Sequence, residues 1–256
     1  MYRFAAIAAA VALGAPATPA HAQQFETIAP AADAPTPAPY LAPNALDFRT
    51  LLAAPPSPAS PADLRDRAVV LERQGVDAER FQSALLDGLL VYPRFEAVLG
   101  APIDRAAAPA LVQLLNRTMI DVSEVAFQAK EHFQRPRPYQ RFQLTRVCGV
   151  SVAPAPELTP TIGSSYPSGH AAYGWATAMV LARIWPDRAE SLLARAAEFA
   201  ESRVVCGVHF PSDIEAGRVI AAAVVARLDA SPDFQADLAA ARAEAARIGE
   251  LTPSLH

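Results

Sequence analysis

Arg203, His209 and Asp213 place a cation, an imidazole and a carboxylate at fixed offsets in one short segment. A carboxylate four residues after a histidine, at the start of a helix, lies close enough to accept the proton of one ring nitrogen. The other ring nitrogen is then unprotonated and able to act as a nucleophile, with the carboxylate as its orienting group. The same pair also suits a purely structural hydrogen bond.

The elements around this segment decide whether its three groups meet. We expect Arg203 to end one helix and the chain to return through a loop at Gly207. The next helix is expected near residues 213–228, with Ser212 and Glu215 as its capping box and the carboxylate in its first turn. This arrangement brings the cation, the histidine and the carboxylate to one place.

A second segment, Pro167-Ser168-Gly169-His170, stands directly before an apolar run. Ser168 is a natural N-cap for a helix over that run, and Gly169 allows a ligand to approach the backbone closely. The unpaired amides and the dipole of a helix start form an anion site. His170, in the first turn, would then stand beside the anion and be able to donate a proton. Ordinary helix capping with a structural histidine is the alternative.

Lys130 and Arg137 supply two further cations near the end of a predicted helix. Lys130 lies late in that helix, which we expect near 107–132. Pro136 and Pro138 then force the chain into an extended turn at Arg137. A lysine is a compact point charge, whereas an arginine is a flat fork that binds two oxygens at once. Lys130 is the only lysine in the chain, which favours a geometric need for it over the alternative of two solvated surface cations.

Residues 1–22 have the features of a cleaved signal peptide. Arg3 gives a positive start, Phe4–Leu13 is an apolar run, and Ala20–Ala22 fits a small-x-small cleavage site. The apolar run is shorter than the about 20 residues that a membrane-spanning helix needs. We therefore expect a mature chain that starts near Gln23 and is periplasmic or secreted.

The charge balance argues against two classes of partner. The chain has 22 basic and 26 acidic residues and a formal net charge of −4; without Arg3 the balance is −5. A mildly acidic chain with no basic run is a poor partner for nucleic acid or for an anionic membrane surface. The longest later apolar run, Ala171–Ala182, stops at Arg183, so membrane insertion is not expected either.

The rest of the chain divides into two parts. Residues 23–61 are dense in proline and alanine and predict an extended segment, loose or laid over the surface of the domain. Residues 62–256 predict an all-α fold, a single compact helical domain of about seven or more helices with a bundle core. Helices are expected near 77–91, 107–132, 169–185, 187–204 and 213–228, with two more opened by Ser60-Pro61-Ala62-Asp63 and by Ser231-Pro232-Asp233, the last running to about Ile248.

Cys148 and Cys206 are the two cysteines of the chain. In an oxidising compartment an even pair predicts one disulfide, which here would close a loop of nearly sixty residues. Such a bond would tie the segment after Arg137 to the segment that carries Arg203 and His209. Two buried free thiols are the alternative.

In chain order the three chemical segments read Lys-x6-Arg-Pro, Pro-Ser-Gly-His and Ser-Arg-x5-His-x3-Asp. This joint pattern resembles the type 2 phosphatidic acid phosphatase and vanadium haloperoxidase superfamily, and within it the bacterial class A non-specific acid phosphatases. The resemblance covers roughly residues 40–250. It extends to Tyr40-Leu41, Lys130-Glu131-His132, the Gly-Ser-x-Tyr lead-in, Gly174-Trp175-Ala176-Thr177-Ala178 and the helical tail after Ser231-Pro232.

The resemblance implies a role for each of these residues. His209 would attack phosphorus, Asp213 would orient it, and His170 would protonate the leaving alkoxide. The expected phosphate ligands are Lys130, Arg137, Ser168, Gly169 and Arg203. It also implies a helical acid phosphatase domain over 62–256 that hydrolyses small phosphomonoesters with broad specificity through a phosphohistidine. The resemblance implies no metal or other cofactor. Members of the family are often homo-oligomers, and the resemblance extends this expectation to the chain. Because His170 must be protonated to act as an acid, we expect a rate that falls above about pH 7.

The chain departs from the usual family pattern at two places. Ala171 stands where these phosphatases usually have threonine, and Phe210-Pro211 replaces a more usual Trp-Gln. We expect the first change to alter a hydrogen bond behind the site and the second to reshape the mouth of the pocket. Neither change removes a group with a proposed chemical role.

Two other functions fit parts of the pattern. A vanadium haloperoxidase uses the same cage for vanadate, although the chain is short for that family. A secreted phosphate-binding protein without turnover would need no nucleophile, orienting carboxylate and acid together, so the presence of His209, Asp213 and His170 disfavours it. A membrane lipid phosphatase is disfavoured because no membrane span is predicted.

Overall fold

The structure is a computed structural model that describes residues 37–89, 91–148 and 163–251, with side chains up to residue 247. The described residues form an all-α fold without a strand, and seven of their helices have twelve residues or more. The helices are α1 (Phe48–Leu51), α2 (Pro61–Arg73), α3 (Ala78–Leu89), α4 (Glu96–Leu99), α5 (Pro109–Phe133), α6 (Pro138–Arg141), α7 (Gly169–Ile184), α8 (Ala189–Val205), α9 (Pro211–Leu228) and α10 (Pro232–Leu251). Short 3-10 turns at Tyr92–Phe95 and Pro186–Arg188 precede α4 and α8.

Helix α7 is the centre of the fold, since it packs against α8, α9 and α5. It is apolar on nearly all sides, as a helix surrounded by others must be. Its first turn lies against α9, where a Cβ on Gly217 would stand 2.5 Å from the carbonyl oxygen of Ser168. The main-chain N–H of Ser168 in turn donates to the carbonyl of Asp213 at 2.9 Å. The starts of α7 and α9 are therefore held side by side.

The expected helices are present, and most of their bounds differ by two residues or fewer. The start of α9 differs from the expected one both in its position and in the residues that cap it. Phe210 is its N-cap and Pro211 its first residue, because a proline lacks the N–H that a first-turn position leaves unpaired anyway. The expected capping box of Ser212 and Glu215 is wrong: the carboxylate of Asp213 accepts from the N–H of Phe210 at 2.7 Å instead. The short helix α1, within the segment expected to be extended, was not predicted.

The described start of the chain lies on α5 and α10. The N–H groups of Tyr40 and Leu41 both donate to the carboxylate of Asp121 at 3.0 Å, and the Tyr40 hydroxyl donates to Asp237 at 2.7 Å. The predicted signal peptide, 1–22, and the first part of the segment 23–61 lie outside the described residues.

Cys148 and Cys206 form a disulfide across 58 residues of sequence, which confirms the predicted pairing. The bond joins the segment that follows α6 to the C-terminal end of α8. Among the described residues, no helix has both the length and the hydropathy that crossing a bilayer demands.

Candidate active site

Three cations from three elements converge on the start of α7. Lys130, in the last turns of α5, is 5% exposed, and its Nζ donates to the carbonyl of Ser164 at 2.8 Å. Arg137, the N-cap of α6, donates through Nη1 to the carbonyl of Val208 at 2.9 Å. Arg203, in the last turn of α8, is 7% exposed, and its buried Nε has no hydrogen-bond partner in the part of the chain that is described. With two further cations nearby, this unused donor nitrogen favours an anion at the site.

His209 lies between these cations and the carboxylate predicted to orient it. Nη1 of Arg137 is 3.2 Å from Nε2 of His209, and because a guanidinium can only donate, Nε2 must accept. The neutral ring then carries its proton on Nδ1, which faces Oδ2 of Asp213 at 3.4 Å. Both side chains are buried, with relative exposures of 2% and 0%. The pair has the tautomer that leaves Nε2 free of a proton.

The carboxylate of Asp213 is fixed by more groups than the sequence indicated. Its Oδ2 accepts from the N–H of Phe210 at 2.7 Å and from the hydroxyl of Ser165 at 2.5 Å. Its Oδ1 accepts from Nη1 of Arg135 at 2.7 Å. Ser165 and Arg135 were both missed by sequence reasoning. Each is next to or near a recognised motif, but neither shows by itself that its partner is Asp213.

His170 lies in the first turn of α7, near two cations of the cage that Lys130, Arg137 and Arg203 form. Its Nε2 is 3.1 Å from the carbonyl oxygen of Gly88, and because a carbonyl can only accept, Nε2 carries the proton of the neutral ring. The ring stacks on Phe199, with centroids 6.4 Å apart. Gly88, near the end of α3, was also missed, since nothing in its own sequence context indicates a contact with the site.

Ser168 is the N-cap of α7, as the sequence predicted. Its Oγ accepts from the N–H of Ala171 at 3.3 Å, and it is fully buried. Gly169 is the first residue of α7. The first amides of a helix have no acceptor within the helix, and the positive end of its dipole favours an anion there. The start of α7 therefore adds donors beside the three cations.

The electrostatics of the cage are dominated by buried positive charge, which would suit a dianion. Burial, helped by the charge of Arg137, lowers the pKa of Lys130 well below 10.5 and the pKa of Arg203 to about 10. Burial also lowers the pKa of His209 well below 6.5, with Arg137, Lys130 and Arg203 adding to the effect. The pKa of His170 is lowered in the same direction by burial and by Arg203. Burial, with the cations adding to it, therefore disfavours the imidazolium form of both rings, and a dianion among the cations would offset their share of the effect.

The described residues contain no group of three or more His, Cys, Asp or Glu side chains placed to hold a metal ion. The donors that surround the cage are cationic or amide N–H groups, which suit an anion directly.

The two departures from the family pattern lie behind the cage. Ala171 is completely buried and packs against an apolar cluster that includes Val70 and Phe210. The expectation that Phe210 reshapes the mouth of the pocket is wrong, because Phe210 is completely buried beneath the guanidinium of Arg135, 4.1 Å from its ring centroid. Its neighbour Pro211 starts α9.

Comparison with known proteins agrees with this geometry. The pattern of the PAP2 superfamily matches residues 107–231, which contain all three motif segments. A non-specific acid phosphatase of Providencia stuartii is 35% identical over 211 residues, 80% of this chain and 83% of that protein. An acid phosphatase of Zymomonas mobilis is 32% identical over 75% of this chain and 73% of its own length. A non-specific acid phosphatase of Salmonella typhimurium is 38% identical over 59% of this chain and 58% of its own.

Two of these relatives exceed 30% identity over more than two thirds of their own length. Together with the superfamily match and the all-α fold, they establish the relationship. The chain belongs to the PAP2 superfamily and, within it, to the non-specific acid phosphatases.

Proposed function

We propose that this phosphatase hydrolyses small phosphomonoesters with broad specificity by transferring the phosphoryl group to Nε2 of His209. The observation that supports this most is the environment of that nitrogen. It is unprotonated, buried among three cations, and lies 3.2 Å from the Arg137 guanidinium that would hold a phosphate oxygen. A buried nucleophile beside an anion cage has the groups that phosphoryl transfer requires.

In the first step Nε2 of His209 attacks phosphorus in line with the leaving oxygen. The P–N bond forms, the P–O bond to the alcohol breaks, and its electron pair goes to the leaving oxygen, which takes a proton from His170. Asp213 stabilises the positive charge that the imidazole gains, through the proton on Nδ1. Lys130, Arg137 and Arg203 bind the equatorial oxygens, with the hydroxyl of Ser168 and the amide of Gly169 as further donors.

In the second step the deprotonated His170 acts as a base. It removes a proton from a water molecule, whose oxygen attacks phosphorus. The P–N bond breaks and its electron pair returns to Nε2 of His209, which releases inorganic phosphate. No metal or other cofactor takes part in either step.

The pH dependence follows from the opposite needs of the two histidines. His209 must be neutral to attack, and His170 must be an imidazolium to protonate the alkoxide, because a neutral imidazole is too weak an acid. Since burial and Arg203 hold the pKa of His170 well below 6.5, the acid reaches its working form only at acid pH or with a phosphate dianion bound. We therefore expect an acidic optimum and a rate that falls above about pH 7.

We also propose that the chain is exported, to the periplasm or beyond the cell. Two features support this: the signal-type sequence of residues 1–22 and the disulfide between Cys148 and Cys206. Disulfides persist mainly in oxidising compartments.

The test is hydrolysis of a chromogenic aryl phosphate by the mature chain from about pH 4 to 9, with and without a chelator. Alongside, the enzyme is mixed with substrate labelled in its phosphoryl group and quenched in base, in which a phosphohistidine survives. We expect chelator-resistant turnover that is fastest in acid and a label on the protein. Both should vanish in His209→Ala.

His132→Ala is the matched control, because His132 is an exposed histidine near the end of α5 outside the cage. It should turn over like the wild type. Turnover that persists in His209→Ala would exclude this residue as the nucleophile. A folded protein that binds vanadate, does not hydrolyse the ester and oxidises halide with peroxide would be a haloperoxidase instead.

A further inference from the structure

The carboxylate that faces His209 has a second charged partner. Oδ2 of Asp213 is shared by the N–H of Phe210, the hydroxyl of Ser165 and, at 3.4 Å, Nδ1 of His209. Oδ1 is taken by Nη1 of Arg135 at 2.7 Å. The Asp213 side chain has no exposed surface and the Arg135 side chain only 4%. Their ion pair is therefore shielded from water and acts at short range in a medium of low dielectric constant.

Arg135 is bound on its far side by a carboxylate from another helix. Its Nη2 donates to Oδ2 of Asp66, in α2, at 2.9 Å. Asp66 is itself held by the N–H of Ser212 at 3.1 Å and by the hydroxyl of the same serine. The guanidinium carbon lies over the ring of Phe210, 4.1 Å from its centroid. These contacts fix Arg135 in a single orientation, with one arm on each carboxylate.

A continuous chain of four side chains results: Asp66, Arg135, Asp213 and His209. The first two members, Asp66 and Arg135, oppose each other in their effect on the imidazole. A cation directly on Asp213 draws negative charge away from His209, and a carboxylate on the far side of that cation returns part of it. A buried arginine with Asp213 alone would be poorly compensated, and two carboxylates of α2 complete the balance, Asp66 at 2.9 Å and Asp63 at 3.5 Å from Nη2.

We propose that Arg135 and Asp66 are positioning residues that act through Asp213, holding its carboxylate against Nδ1 of His209 and setting how readily that ring takes up a proton. This inference rests on the proposed role of His209 as nucleophile. It predicts opposite effects of the two charges on the protonation of His209. Removing the charge of Asp66 should make His209 harder to protonate, and removing the charge of Arg135 should make it easier.

Several other charged groups face the same pair, and they must stay unchanged for this comparison. They are Asp63 of α2, Lys130 of α5, Arg141 of α6, His170 of α7, and Arg137 and Arg203 beside the cage. Each variant below replaces one group and leaves this set intact. A difference between variants therefore reports the replaced charge.

The experiment measures kcat for a chromogenic aryl phosphate against pH in the wild type, Asp66→Asn and Arg135→Gln. The acid side of the profile reports protonation of His209 in the complex, and the substrate's own ionisation contributes equally to all three. We expect the acid limb to move to lower pH by about half a unit in Asp66→Asn and to higher pH by a similar amount in Arg135→Gln. Arg135→Lys, which keeps the charge, should leave the limb near its wild-type position while lowering kcat, since a lysine cannot bridge two carboxylates as a fork.

A purely structural role predicts a different result, in which both variants lose activity and neither limb moves, or both move the same way. Either outcome overturns the proposal. If Arg135→Gln fails to fold, Asp66→Asn decides alone: a limb that does not move to lower pH overturns it. Asp237→Asn is the control for lost stability, because it breaks the Arg117–Asp237 pair, 2.7 Å long, at the other end of α5. It should lower the melting temperature without moving the limb.

His209→Ala separates failure of this inference from failure of the proposed function. If that variant keeps its turnover, His209 is not the nucleophile and the mechanism falls. If it is inactive while the two charge variants do not shift in opposite directions, the mechanism stands and the role of Arg135 and Asp66 falls.

Discussion

The carbonyl oxygen of Gly88 accepts a hydrogen bond from Nε2 of His170 at 3.1 Å, which joins the end of α3 to the first turn of α7. The preceding residue, Asp87, holds this end of α3 in place. Asp87, fully buried, accepts from Ser202 at 2.6 Å and from Arg94 at 2.6 Å. The end of α3 is thus fixed to α8, and it controls the position of the proposed acid from outside the three sequence motifs.

Gly88→Ala tests the second contact of this residue with the site, which is to the side chain of Arg203. An added Cβ would stand 2.5 Å from Nη1 of Arg203, and the mobile end of that side chain would give way rather than the backbone. We expect kcat/KM to fall by up to about 100-fold, since small misplacements of binding groups are costly. The melting temperature should hold or rise slightly, because alanine suits a helix better than glycine by about 1 kcal/mol.

Gln82→Ala, an exposed change on the same helix, is the control and should leave kcat/KM within about twofold of wild type, as surface changes usually do. A Gly88→Ala enzyme with unchanged kinetics would show that Arg203 is not held against this glycine.

Lys130→Arg tests whether the single lysine is needed for its shape. Lys130 is buried with its Nζ on the carbonyl of Ser164, and an arginine there must fit a larger planar group into the same space. We expect kcat/KM to fall by about 10–100-fold although the charge is kept. Steady-state kinetics measure it, with the exposed Arg65→Lys as the reverse exchange away from the site. Equal activity of Lys130→Arg and the wild type would mean that charge alone suffices.

Acid should destabilise the free protein, and inorganic phosphate should protect it. The pKa values of His170 and His209 are lowered below 6.5 in the folded state, chiefly by burial. Below about pH 6.5 the unfolded chain therefore binds more protons than the folded one, so this part of the stability is complete above that pH and is lost as pH falls through the folded pKa values. Bound phosphate would offset the positive charge of the nearby cations, so the folded protein should lose less stability as the pH falls.

Melting temperatures between about pH 7 and 5, with and without phosphate, measure this effect. The double variant His170→Ala, His209→Ala should show a shallower fall with pH than the wild type, and His132→Ala the same fall as the wild type. A double variant as acid-sensitive as the wild type would assign the effect to other groups.

Removing the disulfide should affect both stability and phosphate binding. The bond closes 58 residues, which corresponds to about 4 kcal/mol in the chain-entropy account. Sγ of Cys206 also lies 3.8 Å from Nη1 of Arg203. We expect Cys148→Ser with Cys206→Ser to unfold at lower urea and to bind inorganic phosphate more weakly. Reductant should lower the urea midpoint and the phosphate affinity of the wild type and change neither in the double variant. A double variant that responds to reductant while the wild type does not would contradict the prediction.

The sequence was most informative where chemistry and local structure coincide. Ser168 could be assigned as an N-cap because capping depends on adjacent residues, and Lys130 and His209 stand at spacings that local helices and turns explain. Asp66 could not be found in this way. It resembles any acid near the start of a surface helix, and its contact with Arg135 exists only after α2 packs against the start of α9. The helix start at Pro211 was misread because Ser212 and Glu215 also matched a capping pattern.

The cage formed by Lys130, Arg137 and Arg203 has one more consequence. In the proposed mechanism it binds oxygens on phosphorus, and inorganic phosphate offers the same oxygens whether or not an alcohol was attached before. The orphaned Nε of Arg203 is satisfied equally by the ester and by what remains of it. Inorganic phosphate, the product, should therefore compete with the ester for the same site. As phosphate accumulates, the fraction of occupied sites rises and the rate of hydrolysis falls.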